Sequence, residues 1–200
     1  MEMLRVTNLI TVSADHLMEK IPESYLSKTL LINNAVSDEF INAVDCCNDI
    51  PDELIGCGSG PVIGYFGAIA EWFDFELVGL LAETLPATHI VLIGPTQINV
   101  REQLESLIKN HSNIQVLPHR PQIELVPFLK RFDVCLIPFI KNDVTDAVSP
   151  VKLFEYFSAG KPVVTTDLHE CRKYPQIKCT TSRAEFIEAT KNLLDNQPSN

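Results

Sequence analysis

Ser149-Pro-Val-Lys-Leu-Phe-Glu-Tyr-Phe-Ser-Ala-Gly-Lys-Pro-Val-Val164 reads as a helix with both ends written into it, followed at once by a strand. Ser149 is a good N-cap, and Pro150 suits the first helical position because its missing N–H has no intrahelical partner there. Gly160 suits the left-handed cap, and Pro162 stops the helix before the next element. The spacing predicts a helix over Pro150–Ala159 and a strand over Pro162–Thr166. That strand is apolar without polar alternation, as a strand buried on both faces is.

Working outward, the same alternation extends in both directions. Before the stretch come strands at Pro61–Phe66, His89–Ile93, Ile114–Leu117 and Val134–Phe139. Amphipathic helices are interleaved at about Glu71–Thr84, Val100–Asn110 and Ile123–Phe132. After it come a short helix at His169–Tyr174, a strand at Ile177–Cys179 and a closing helix at Arg183–Asp195. Short apolar strands alternating with helices give a parallel sheet covered on both faces. Right-handed crossovers then make an α/β, doubly wound, mainly parallel Rossmann-like sheet. Ligands bind such sheets outside the carboxyl ends of the strands, so the loops to watch are Gly64–Asp74, Gly94–Asn99, Pro118–Gln122, Phe139–Pro150 and Thr165–His169.

Residues 1–45 carry less. Val6–Ser13 and Thr29–Ile32 read as strands, Asp15–Lys20 and Ala35–Val44 as helices, too little to bury a core alone. Residues 46–60 read as a linker, residues 61–196 as the main domain, and residues 197–200 as a frayed tail. Gly56-x-Gly58-x-Gly60 precedes a strand instead of following one, so it is a linker and not a dinucleotide loop. The 26 acidic against 16 basic residues give a net charge of −10, which argues against a nucleic-acid surface. No apolar run approaches the roughly 20 residues of a membrane span, and the N-terminus lacks the features of a signal peptide. The six cysteines (46, 47, 57, 135, 171 and 179) form no C-x-x-C pair and complete no zinc pattern, so reduced thiols and a cytoplasmic protein are expected.

One local rule is broken inside the opening stretch. Lys152 lies in the first helical turn, where a cation opposes the helix dipole by about 0.3–1 kcal/mol. An anion docked on the free amides of Val151 and Lys152 would compensate it; a solvated, tolerated lysine is the other reading. Glu155, three residues on, faces the same side of the helix among aromatic neighbours. Its carboxylate needs donors, and these are either Lys152 or two vicinal hydroxyls such as a ribose presents. Phosphate at the helix start and ribose one turn further in fits a nucleoside diphosphate.

With those residues in place, the stretch 149–164 resembles the donor-site helix of the GT-B glycosyltransferases of the "group 1" family. Gly64-Tyr-Phe-Gly-Ala-Ile-Ala-Glu-Trp-Phe-Asp74 is similar to the opening strand and loop of a subgroup used in bacterial surface polysaccharide and teichuronic-acid-type synthesis. Phe132-Asp-Val-Cys-Leu-Ile-Pro-Phe139 is similar to that family's strand before the donor loop. Ile10–Ser13 and Leu31–Val36 resemble the end of the acceptor-side domain and the interdomain crossing. The resemblance implies the C-terminal, nucleotide-sugar-binding half of a retaining glycosyltransferase. The donor would be a UDP- or GDP-sugar, with no metal or further cofactor, and the acceptor an unidentified glycan or lipid-linked sugar. Residue by residue, it implies that Glu155 binds the ribose and that Ser149, Val151 and Lys152 form the diphosphate-binding helix start. Gly67 then belongs to the loop near the phosphates, and Arg120 lies next to the base.

The chain departs from that family at two places. The glutamate often found eight positions before the ribose glutamate is Ala147 here, leaving Asp143 or Asp146 as substitutes; Asp146 and Lys152 are the catalytic candidates. A frequent basic residue after the first glycine loop is replaced by Glu71-Trp72-Phe73-Asp74. Residues 1–45 would then be a remnant of an acceptor-side domain whose remainder is missing. Two rival readings are a non-catalytic interaction domain of the same fold and a sugar-nucleotide epimerase. His119 sits in a strand-end loop within reach of a ligand, and Trp72 belongs either to the core or to the cleft.

Overall fold

The computed structural model describes residues 2–55 and 60–196. The N-terminal part contains α1 (Glu2–Val6), β1 (Ile10–Val12), α2 (Asp15–Glu19), α3 (Glu23–Leu26), β2 (Thr29–Leu31), α4 (Asp38–Cys46) and α5 (Asp52–Ile55). The remainder runs β3 (Val62–Phe66), α6 (Phe75–Thr84), β4 (His89–Ile93), α7 (Arg101–Asn110), β5 (Ile114–Leu117), α8 (Val126–Arg131) and β6 (Val134–Ile137). It closes with α9 (Val151–Ser158), β7 (Val163–Thr166), β8 (Ile177–Thr180) and α10 (Arg183–Asp195), with short 3-10 turns between elements.

β3 to β8 form one parallel sheet in the order β5-β4-β3-β6-β7-β8. The chain builds outward from β3 through β4 to β5, then returns to lay β6 against the other side of β3. The carboxyl ends of β3 and β6 therefore flank a topological switch point, where open α/β sheets bind ligands. β3 and β6 are buried at every position, while the edge strand β8 is buried only at its two ends. The unbroken apolar pattern of the central strands is the mark of burial on both faces.

The expected doubly wound architecture is what forms, and the boundaries of β4, β5 and α10 coincide with the sequence expectation. Four expectations are corrected. Val6–Ser13 is not one strand: α1 ends at Val6, and β1 keeps only three residues, paired with β2 in a separate two-stranded sheet. The helix expected from Glu71 starts at Phe75, because Asp74 caps it by accepting from Leu77 N–H at 2.9 Å. The stretch 46–60 is not wholly linker, since Asp52–Ile55 is helical with Leu54 1% exposed in the core. Gly56, Cys57 and Gly58 lie outside the described residues. The fourth correction concerns α9 itself. It starts at Val151, with Pro150 in the N-cap position, and the Ser149 hydroxyl caps nothing.

The other end of α9 forms as expected. Gly160 takes φ +64°, Lys161 N–H reaches Tyr156 C=O at 3.0 Å and Gly160 N–H reaches Phe157 C=O at 2.9 Å. That pair of bonds is a Schellman cap. α4 brings Phe40 and Val44 into the main core and packs on α8 and α9. Among the described residues no helix is long and apolar enough to cross a membrane.

Candidate functional site

A cavity of about 520 Å³ opens at the switch point, within the ordinary range for small-molecule sites. Its floor is Phe66, Gly67 and Ala68 at the end of β3 and Ile93 and Gly94 at the end of β4. One wall is the segment after β5, with His119, Arg120, Gln122 and Leu125. The opposite wall is Phe139, Val144, Thr145 and Val148 from the loop after β6, and the start of α9 supplies Pro150, Val151, Lys152 and Glu155. Four of the five loops picked out from the sequence contribute; Thr165–His169 does not.

The floor depends on two glycines. Gly67 has φ +138°, and a Cβ there would lie 2.9 Å from Lys152 Cε. Gly94 has φ +151°, and a Cβ there would lie 2.1 Å from the Gly67 carbonyl oxygen. L side chains rarely adopt either conformation; at Gly94 the backbone of Gly67 also leaves no room for one, and at Gly67 a side chain would displace the end of Lys152. The two strand ends can therefore close on each other and let the lysine lie across them.

Lys152 is held by aromatic faces. Its Nζ lies 4.8 Å from the Phe139 ring centroid and 5.2 Å from that of Tyr65, and among the described residues it forms no ion pair. Burial lowers its pKa to about 8, opposed by the nearby charge of Glu155. The amides of Val151 and Lys152 open the helix and have no intrahelical acceptor. A half-buried cation and two free donors therefore converge at one end of the cavity.

Glu155 is buried one turn further along, and that burial raises its pKa. Gln122 Nε2 donates to its Oε1, which together with the Lys152 charge opposes the rise. Arg120 borders the cavity with its guanidinium already engaged. It pairs with Glu53 of α5, lies 3.8 Å from Glu124 and sits 5.1 Å above the Phe128 ring.

Of the sequence candidates, Gly67, Arg120, Val151, Lys152 and Glu155 line one cavity. Ser149 and Asp146 are not among its lining residues. Asp146 Oδ1 accepts from His169 N–H at 2.8 Å, and Ser149 offers its carbonyl to Asn34 Nδ2 at 2.7 Å. Asp143 lies in a smaller adjoining cleft with Glu71 and Trp72. His119 and Trp72 border the main cavity. Gln122 was missed as a site residue; its place in a strand-end loop was the only signal in the sequence.

The sequence model of the family described as glycosyl transferases group 1 matches residues 60–196. The chain belongs to that family. It is 29% identical over 168 residues to a putative teichuronic acid biosynthesis glycosyltransferase, TuaH, of Bacillus subtilis (strain 168). That match takes in 82% of this chain and 41% of TuaH. The fold resembles a crystal structure of Anabaena Alr3699/HepE in complex with UDP and glucose, with TM-score 0.67 at 14% identity. It covers 96% of this chain and 55% of HepE. A glycosyltransferase from Rickettsia africae aligns with TM-score 0.70 at 12% identity, over 94% of this chain and 53% of that one. The chain thus spans about half the length, or less, of these relatives, and the Rossmann-like half of a GT-B glycosyltransferase is the architecture they share.

Proposed function

We propose that the protein is the donor-binding part of a glycosyltransferase, taking a UDP- or GDP-sugar for retaining transfer in surface polysaccharide synthesis. One observation carries the reading: the α9 amides with Lys152, and Glu155 one turn on, face a single cavity at the switch point. Diphosphate at the helix start meets free amides and a cation; ribose one turn deeper meets a carboxylate able to accept from both hydroxyls. HepE, solved with UDP and glucose, and TuaH, named for teichuronic acid biosynthesis, support the donor class and the polysaccharide role.

In the transfer, the bond from the anomeric carbon to the β-phosphate oxygen breaks and leaves its electron pair on that oxygen. The acceptor hydroxyl oxygen bonds the anomeric carbon, and its proton passes to the released diphosphate. Lys152 and the amides are aimed at the charge that develops on the leaving group, where fixed donors act most strongly. This assignment needs no metal. Gly67 completes the phosphate end and Arg120 the base end, while Ser149, whose hydroxyl is buried outside the cavity lining, acts only by leading the chain into α9. Asp146 reaches the sugar only by giving up the His169 amide. The acceptor, a glycan or lipid-linked sugar, is assigned to a further N-terminal domain facing this cavity, and the site of action to the cytoplasm.

UDP or GDP raises the melting temperature of the protein, and Glu155→Ala removes the rise. No rise with either nucleotide overturns the reading. Ala147, standing where the family often has a glutamate, favours a second reading: an interaction domain that kept the fold. An intact fold with no nucleotide affinity is its signature.

A further inference from the structure

Glu155 does not stand alone in the cavity. Gln122, in the 3-10 turn Gln122–Leu125 after β5, reaches across to the carboxylate on α9. The bond spans 33 residues of sequence, and its two ends lie on different walls of the site. Gln122 is exposed, whereas Glu155 is buried, so the bond adds little to the core but fixes one oxygen of a carboxylate that has few other donors.

Resting on the donor-site reading, we infer that Gln122 is the positioning residue for ribose recognition: its amide holds Glu155 Oε1 so that the carboxylate presents its remaining lone pairs to the 2′ and 3′ hydroxyls. An ionised carboxylate has about four acceptor sites, so one donated bond leaves enough for a diol. Because the amide bonds the charged form, it also keeps Glu155 ionised against the burial that raises its pKa. The other charges about Glu155 are few. Lys152 lies on the same helix; His119 and Arg120 come from the segment after β5, the latter already paired with Glu53 and Glu124. α4, packed on α9, carries Asp38, Glu39 and Asp45 on exposed positions.

The test compares UDP with 2′-deoxy-UDP, and GDP with 2′-deoxy-GDP, by calorimetry on the 200-residue chain. The wild type prefers the ribonucleotide by about tenfold or more, the worth of one hydrogen bond to a charged group. Gln122→Leu lowers the melting temperature of the free protein slightly at neutral pH, because it leaves the buried carboxylate without its amide donor, and reduces the preference to about threefold or less. It also moves the acid limb of nucleotide binding to higher pH. Gln122→Glu moves that limb further, because neighbouring carboxylates share a proton. The terminal phosphate of the nucleotide titrates alike in every variant and cancels. If Gln122→Leu keeps both the preference and the acid limb while Glu155→Gln loses the preference, the role of Gln122 is overturned and the donor site stands. If the wild type binds neither UDP nor GDP, the donor-site reading falls and this inference falls with it.

Discussion

α9 and α10 each hold a cation in their first turn, and the two helices treat it in opposite ways. Arg183 opens α10, where Asp74 takes it at 2.9 Å and 3.0 Å and Glu76 at 2.6 Å. Ser182 caps the same helix by accepting from Glu185 N–H. Lys152 opens α9, where no side chain caps the helix and aromatic faces take the place of carboxylates. Both side chains oppose a dipole. In α10 the compensation comes from within the fold; in α9 it is missing, and the cation lines a cavity instead. A rule broken and repaired locally is structural, while one left unrepaired beside a cavity marks where a ligand completes the arrangement.

The largest expected effect tests that contrast directly. Lys152→Met weakens UDP-glucose binding by about 10- to 100-fold, the loss of one charge-assisted contact in a partly buried site. Arg183→Met leaves the affinity unchanged. It lowers stability by up to about 1 kcal/mol, because its pairs are partly exposed. Calorimetric titration and thermal melts separate the two outcomes. Equal losses of affinity in both variants would remove the distinction between the helices.

Acidity sharpens the comparison next. The Lys152 pKa, lowered to about 8, means that the free site loses its cation as the pH rises through that value. A bound anion favours the ammonium and raises its pKa again. Affinity for UDP-glucose therefore falls above about pH 8 by up to about tenfold per pH unit, the slope of one coupled proton. On the acid side, the raised pKa of Glu155 brings its protonation above the ordinary carboxylate range, and affinity declines there too. The α10 pair has no counterpart. UDP-glucose is the better probe because its diphosphate, esterified at both ends, does not titrate between the limbs.

A smaller effect concerns the free protein. Burial makes the ionised Glu155 costly, and a group whose folded pKa is raised loses stability as the pH climbs through it. Glu155→Gln thus raises the melting temperature at neutral pH and leaves it unchanged at acid pH, where the carboxyl is already neutral. The same variant loses the nucleotide-driven rise. A lower melting temperature at neutral pH would place the carboxylate among the stabilising groups.

The same contrast explains what was legible in the sequence. The parallel sheet was, because β4 and β6 are apolar at successive positions and the glycine and proline signals flank α9 where they should. Lys152 and Glu155 were also legible, being three residues apart on one helix. Val6–Ser13 was misread because its apolar residues carry no signal for which partner they meet; Val6 is 77% exposed at the end of α1. Gln122 was illegible as a site residue, since nothing local ties it to a carboxylate 33 residues away. The occupation of Arg120 by Glu53 was hidden for the same reason: the partner comes from α5, inside a stretch that reads as linker.

The smallest expected effect separates the two serines that the sequence makes look alike, each standing just before a helix. Ser182 accepts from Glu185 N–H at 3.2 Å, and Glu185 answers by accepting from Thr181 N–H at 2.8 Å. Ser182→Ala therefore costs about 1 kcal/mol, the usual worth of a cap. Ser149 is buried, among the described residues its hydroxyl has no partner, and its carbonyl accepts a bond from Asn34. Removing an unsatisfied buried hydroxyl relieves a desolvation cost and leaves that backbone bond intact. Ser149→Ala is thus neutral or slightly stabilising in thermal melts of the free protein. A loss as large as that of Ser182→Ala would show that Ser149 caps α9 after all, and the helix start would no longer need an anion to complete it.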